Sequence, residues 1–299
     1  MRAFNTARVD GITDVDPAWL PRVKRFHAVH ELHMPSYYAI FLNQGTNDLL
    51  KSKNVRLALN AAIPRQALVQ NIFDGHASLA SGPLPYAGIR TADQTLVTRD
   101  DIEEARRILE EAEVATDEEG RYGKITLVVP DLAFLVATGK AVEERWEELG
   151  FDVEVIVLEP GVVTSEIIRT RNYDALLFGN ALSRNPDILS FWHTNERFYP
   201  GLNLGLYSNK AADALLESVR QTFDEEERRS DLASLQSLII QDMPVLFLYS
   251  PNYIIVTAAK VRGFSATIIS NPAERFENIE NWYVKTKRVW GKTATNNQE

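Results

Sequence analysis

AVEERWEELGFDVEVIVL, residues 141–158, holds the pattern that decides the fold class. Ala141 to Leu149 reads as a helix, and Gly150 follows where a left-handed cap is needed, a conformation glycine adopts without steric cost. Behind it Val153, Val155 and Val157 alternate with Glu154, Ile156 and Leu158, the period-two signature of a strand. A helix feeding directly into an apolar strand is the repeating unit of an α/β domain.

The same alternation extends outward in both directions. Upstream, Lys124 to Val129 is a short buried-strand candidate, and Asp117 to Gly120 is turn chemistry. Asp101 to Ala112 sets Ala105, Ile108, Leu109 and Ala112 three and four apart, with acids in its first turn where the helix dipole favours them. Val55 to Ile63 and Arg65 to Phe73 form two helical patches divided by Pro64, with Gly75 as the closing cap. Downstream, a helix over Ser165 to Thr170 leads to a strand from Tyr173 to Phe178 and a loop from Gly179 to Asn185. Two helices, Asn209 to Phe223 and Glu225 to Gln241, meet near Asp224 and end at Pro244. Strands follow at Val245 to Tyr249 and Tyr253 to Thr257, with Pro251 and Asn252 as turn residues between them. The last ten residues read as a frayed tail.

Composition narrows the function classes. The chain has 299 residues, 45% hydrophobic and 24% charged, enough apolar material for a real core. Its net charge of -9 repels phosphate backbones, so no nucleic-acid partner is expected. No stretch reaches the roughly 18 to 20 apolar residues that span a bilayer. Met1 to Asp10 lacks the basic and apolar regions of a secretory signal. With no cysteine there is no disulfide, thiolate nucleophile or Cys-ligated metal.

Catalytic and cofactor motifs are missing as well. There is neither a GxGxxG nor a GxxxxGK[ST] phosphate loop. His27, His30 and His33 lie three apart, but the segment from Val23 to Met34 reads as extended chain, which turns His30 away from the other two, and no metal site is assigned. His193 has no Ser or Asp partner at a telling spacing. The paired acids, such as Glu110-Glu111 and Glu225-Glu226-Glu227, read as solvated helix faces. The expectation is a protein that is not an enzyme and has no cofactor. One polar, aromatic span stands out: Trp192, Tyr199 and Tyr207 with Asn180, Asn185, Asn195 and Asn203, between a strand and a helix where α/β sheets bind ligands.

The order of segments resembles a known family, the family-five extracellular solute-binding proteins of peptide, dipeptide and nickel ABC transporters. The residues that carry the resemblance begin with Ala39-Ile40-Phe41-Leu42-Asn43 and Asn54 to Arg65, similar to the family's strand ending in Phe-Asn and its "VRqAlnyAiDR" helix. Gly75-His76-Ala77 to Gly82-Pro83-Leu84-Pro85 and the Asp101 to Ala112 helix are similar to further family segments. So are Trp146 to Val155, Tyr173-Asp174, and Asn185-Pro186-Asp187 with Phe191-Trp192. Tyr207-Ser208-Asn209 through Leu216, Asp224 to Pro244, and Val261-Arg262-Gly263-Phe264 complete the series.

That resemblance implies an α/β, type II periplasmic-binding-protein-like lobe, with a central mixed sheet flanked by helices and two hinge crossings. It further implies a clamp whose closure is stabilised by contacts the solute makes only in the closed form. The expected partition is 1–44 as part of the first lobe, 45–245 as the second, ligand-binding lobe, and 246–299 as return strands of the first, with crossings near Leu42 to Gly45 and Leu246 to Pro251. Signal and most of the first lobe are expected to lie outside this sequence. The implied ligand-binding residues are Asn43, Gly179, Asn180, Ala181, Leu182, Asn185, Trp192, Asn203 and Tyr207. Peptide-binding members carry a Trp and an Asp before their "DPd" motif, the Asp holding the peptide ammonium by a charge-assisted hydrogen bond. Gly179 and Leu182 stand at those positions here. The implied partners are a small-molecule or peptide solute and an ABC permease. The implied place is periplasmic or extracellular, membrane-associated only through a missing anchor or the permease. The alternative reading is the ligand-sensing effector domain of a transcriptional activator sharing the fold.

Overall fold

Every long helix whose start is polar begins at a side chain that caps it. Ser52, Asp101, Asn209 and Asp224 each accept hydrogen bonds from backbone N–H groups of the first turn, satisfying donors a helix leaves open. They start α1 (Lys53–Ala61), α3 (Ile102–Glu111), α5 (Lys210–Gln221) and α6 (Glu225–Asp242). Between them lie α2 (Arg65–Phe73) and α4 (Ala133–Leu149), the latter closed by Gly150 at φ +108°. The computed structural model describes residues 1–84, 100–182 and 187–284.

The strands in chain order are β1 (Gly11–Thr13), β2 (His27–Leu32), β3 (Ser36–Leu42), β4 (Ala77–Leu79), β5 (Gly123–Pro130), β6 (Phe151–Leu158), β7 (Ala175–Ala181), β8 (Val245–Pro251), β9 (Tyr253–Ala258), β10 (Val261–Arg262) and β11 (Tyr283–Val284). They fall into two compact units, Met1–Leu32 with Tyr253–Glu299, and His33–Asn252.

The larger unit is built on a six-stranded mixed sheet of order β4-β8-β3-β7-β5-β6. The β5 strand runs parallel to β6 and β7, whereas β3 is antiparallel to both β7 and β8. Period-two alternation divides its side chains between two cores. Ile40, Leu42, Leu127, Val129, Leu177 and Leu246 face α1 to α4, where Val55, Leu59, Leu109 and Trp146 meet them. Ala39, Phe41, Val128, Leu176, Val245 and Phe247 face the other way, against Leu216, Val219, Leu235 and Ile239 of α5 and α6. The result is a three-layer α/β/α arrangement with a mixed sheet flanked by helices, as the helix-to-strand pattern predicts.

The smaller unit contains an antiparallel sheet of order β1-β9-β2 and the β10-β11 pair. Its core gathers Phe4, Val23, Ile254, Val256 and Ala258. His30 stacks near Phe264 and bonds the Thr257 hydroxyl at 2.9 Å, and burial holds its imidazole below the ordinary range.

The division between units departs from expectation. The chain passes from one unit to the other at Leu32/His33 and at Asn252/Tyr253, not at 44/45 and 245/246. Leu42 to Gly45 cannot be a crossing, because β3 is an interior strand and Asn43 begins a turn at its far end: the side chain of Asn43 accepts from Gly45 N and its backbone N–H bonds Asp174. The second passage, at Asn252/Tyr253, directly follows the Leu246 to Pro251 stretch, whose strand β8 is paired on both sides, with β3 and β4. The amide and glycine at 43–45 signal a turn, and a turn is also what a strand ending inside a domain needs.

Candidate functional site

The parallel strands β5, β6 and β7 all point their C-terminal ends to one edge of the sheet, reached at Pro130, Leu158 and Ala181. Ser36 pairs with Ala181, and Pro251 pairs with Ala77, so the segments through which the chain enters and leaves the larger unit lie at that same edge. Carboxyl ends of strands are where open α/β sheets leave crevices for ligands.

A cavity of about 460 Å³ occupies this edge, lined by Met34, Ser36, Tyr37, Tyr38, Pro130, Leu132, Leu135, Pro160, Thr164, Phe178, Gly179, Asn180, Ala181 and Pro251. No charged side chain is among these described residues. Tyr37 and Tyr38 are adjacent on a strand and so point to opposite faces, Tyr37 into the α5/α6 core and Tyr38 against the α4 side. The Tyr38 ring stands edge-on to Phe134 at 5.1 Å and tilted to Tyr249 at 5.9 Å. Burial raises the phenols of both tyrosines above their ordinary value, so both stay neutral.

Asn180 supplies the polar centre. Its Nδ2 donates to the Tyr37 hydroxyl at 2.9 Å, and among the described residues nothing donates to its Oδ1. The Tyr38 hydroxyl has no protein partner among them either. The cavity therefore combines aromatic and proline walls with a few neutral groups able to orient a solute, and no nucleophile–base pair.

Of the residues expected at a binding site, Gly179, Asn180 and Ala181 line this cavity, and Leu182 lies buried beside it, its N–H bonded to Pro35 at 2.7 Å. Four others are elsewhere. Asn43 sits at the opposite end of β3 and is buried, its Nδ2 donating to the Arg171 carbonyl at 2.9 Å. Trp192 is 1% exposed and packs against Tyr207 and Phe247 inside the larger unit. Asn203, fully buried, donates Nδ2 to the carbonyls of Trp192, His193 and Tyr207 and accepts from Tyr207 N. The Tyr207 ring is core, and its hydroxyl donates to Asp242 at 2.6 Å. The expectation of an aromatic, amide-rich binding loop is thus corrected at Trp192, Asn203 and Tyr207. The span needs a core of its own, and its amides serve its own backbone. Asn185 lies outside the described residues.

Residues 1–197 match the family model described as bacterial extracellular solute-binding proteins, family 5, middle region. The chain belongs to this family.

Relatives of this family-5 chain include the oligopeptide-binding protein AppA of Bacillus subtilis, 26% identical over 267 residues, covering 83% of this chain and 47% of AppA. The nickel-binding protein NikA of Staphylococcus aureus is 21% identical over 221 residues, 72% of this chain and 43% of NikA. The chain spans about half the length of the curated relatives it matches. Among solved structures, AppA of B. subtilis in complex with a nonapeptide superposes with a TM-score of 0.73 at 22% identity, over 95% of this chain and 58% of that one. HbpA2 of Haemophilus parasuis gives 0.79 at 19%, over 95% and 55%. These likenesses show the fold, that of type II periplasmic binding proteins.

In this family-5 chain the cavity is also lined by Tyr37, Tyr38, Phe178, Pro130, Leu132 and Pro160, none of them among the expected residues. A signal was present in the placement of Ser36-Tyr37-Tyr38 at the opening of a strand that pairs with 179–181. Register is set by contacts between distant segments, so it was not readable locally.

Proposed function

We propose that this chain is part of the solute-binding component of an ABC importer, and that it captures a peptide-like or oligosaccharide-like solute between two lobes. The observation that carries the reading is the cavity at the C-terminal strand ends, with aromatic walls and, among its described residues, an Asn180 Oδ1 that accepts from none of them and no charged side chain. Burying a charged ligand group there without a counter-charge would be costly, so the moiety that enters is neutral. Leu182, where peptide-binding relatives are expected to place a carboxylate, supports a ligand without a free ammonium at this point. Membership of an extracellular solute-binding family supports action outside the cytoplasm and delivery to a membrane permease, and no helix among the described residues is long and apolar enough to cross a membrane. The protein binds and releases its cargo without covalent chemistry.

Calorimetric titration of the full-length protein with matched peptides, one N-acetylated and one with a free amine, tests the reading. The blocked peptide, or a neutral oligosaccharide, is expected to bind at least as tightly as the free amine. A tenfold preference for the free amine would overturn it.

A further inference from the structure

A second cavity, of about 750 Å³, opens at the opposite end of β3, beyond Asn43. Seven strand residues separate the two openings, a rise of roughly 20 Å, so this cavity is no extension of the solute site. Its charge sets it apart: the guanidiniums of Arg56, Arg171 and Arg197 line it against one carboxylate, Asp242, in a chain of net charge -9.

Two of these cations are buried without a carboxylate partner. Arg56, 6% exposed, donates Nε to the Met243 carbonyl, Nη1 to those of Leu50 and Lys51, and Nη2 to that of Asp242. Arg171, 4% exposed, donates to the backbone carbonyls of Arg197, Ile168 and Gly201. Carbonyl dipoles satisfy the donors without forming an ion pair, and desolvation holds both guanidiniums below their ordinary values, opposed at Arg56 in part by the field of Asp242. The Asp242 carboxylate accepts from Tyr207 and Asn209 at its Oδ2, at 2.6 and 2.9 Å.

Arg197 differs from both. Its Nε is held by the Thr194 carbonyl at 2.9 Å and its guanidinium lies over Phe198, while both terminal nitrogens have no protein partner among the described residues. We propose that this cavity binds a small free oxyanion of the phosphate class, clasped by the terminal nitrogens of Arg197 in the field of Arg56 and Arg171. Arg197 is suited to this by geometry, since a guanidinium offers parallel donors to tetrahedral oxyanions. The site goes beyond the solute-binding reading and stands whether or not that reading does.

The test is calorimetric titration of the 299-residue chain with inorganic phosphate at constant ionic strength, chloride being the balancing anion. Saturable binding to the wild type is expected, weakened about tenfold or more in Arg197→Gln, as loss of a charge-assisted pair implies, and unchanged in Arg107→Gln on the exposed face of α3. No saturable binding, or equal binding by Arg197→Gln with its melting temperature intact, would overturn the proposal. So would capture by phosphatidate vesicles without any binding of free phosphate, since that assigns the patch to a lipid surface.

Discussion

The Tyr38 ring lies across Gly179: the two residues are cross-strand partners, and a β-carbon at 179 would meet Tyr38 Cε1 at 2.8 Å and Cδ1 at 3.0 Å. That contact sets the depth of the cavity, because the ring can rest on the strand only where no side chain stands. Gly179→Ala is expected to cost about 1–3 kcal/mol by overpacking. In a Tyr38→Ala background the same change should cost almost nothing. Urea denaturation of the four proteins forms a double-mutant cycle, and additive losses would show that the ring does not sense residue 179.

Trp192 is a core residue, so its truncation should read out as instability. Trp192→Ala is expected to lose about 3–5 kcal/mol, the range for removing a buried indole. Its Nε1 has no hydrogen-bond partner among the described residues, which predicts that Trp192→Phe costs far less. Chemical denaturation of both variants separates this from a ligand-contact role, in which either substitution would leave the midpoint unmoved.

How far the fold was legible follows from the same residues. Gly150 and the alternating valines of β6 announced a helix-to-strand unit because their signals are local. The start of α4 at Ala133 was hidden, since Thr138 and Gly139 are buried and the helix there has no polar face to give a period. At the candidate site, Gly179 to Ala181 were expected from their place after a strand, and they line the cavity. Asn203 and Asn43 misled because an amide's exposure depends on whether distant carbonyls meet it. Asn203 finds three and Asn43 finds that of Arg171.

Four tyrosines should resist alkaline titration. Burial raises Tyr37, Tyr173 and Tyr249 well above the ordinary value of 10.0, and Tyr207 is raised by burial and then by its bond to the Asp242 carboxylate. Below that value both folded and unfolded chains keep the phenol protonated, and the stabilisation is whole. Above it the unfolded chain ionises first, binds fewer protons than the native state, and stability falls as pH rises. Of the ten tyrosines in the chain, these four are expected to ionise only together with loss of the circular dichroism signal. Phenolate absorbance from all ten with the fold intact would contradict the burial assigned here.

The Asn180–Tyr37 pair allows scaffold and ligand roles to be told apart. Asn180 is buried and gives Nδ2 to a hydroxyl that is itself fully buried, so Tyr37→Phe strands a donor and is expected to cost about 1–3 kcal/mol. Replacing both partners with apolar groups removes the stranded donor, so Tyr37→Phe with Asn180→Leu should recover most of that loss. It should not recover solute capture, because Asn180 Oδ1, the acceptor available at the cavity wall, has gone with it. Stability from urea denaturation and affinity from calorimetry are therefore expected to part company in the double variant. Had Asn180 served only to hold Tyr37, restoring stability would restore affinity with it.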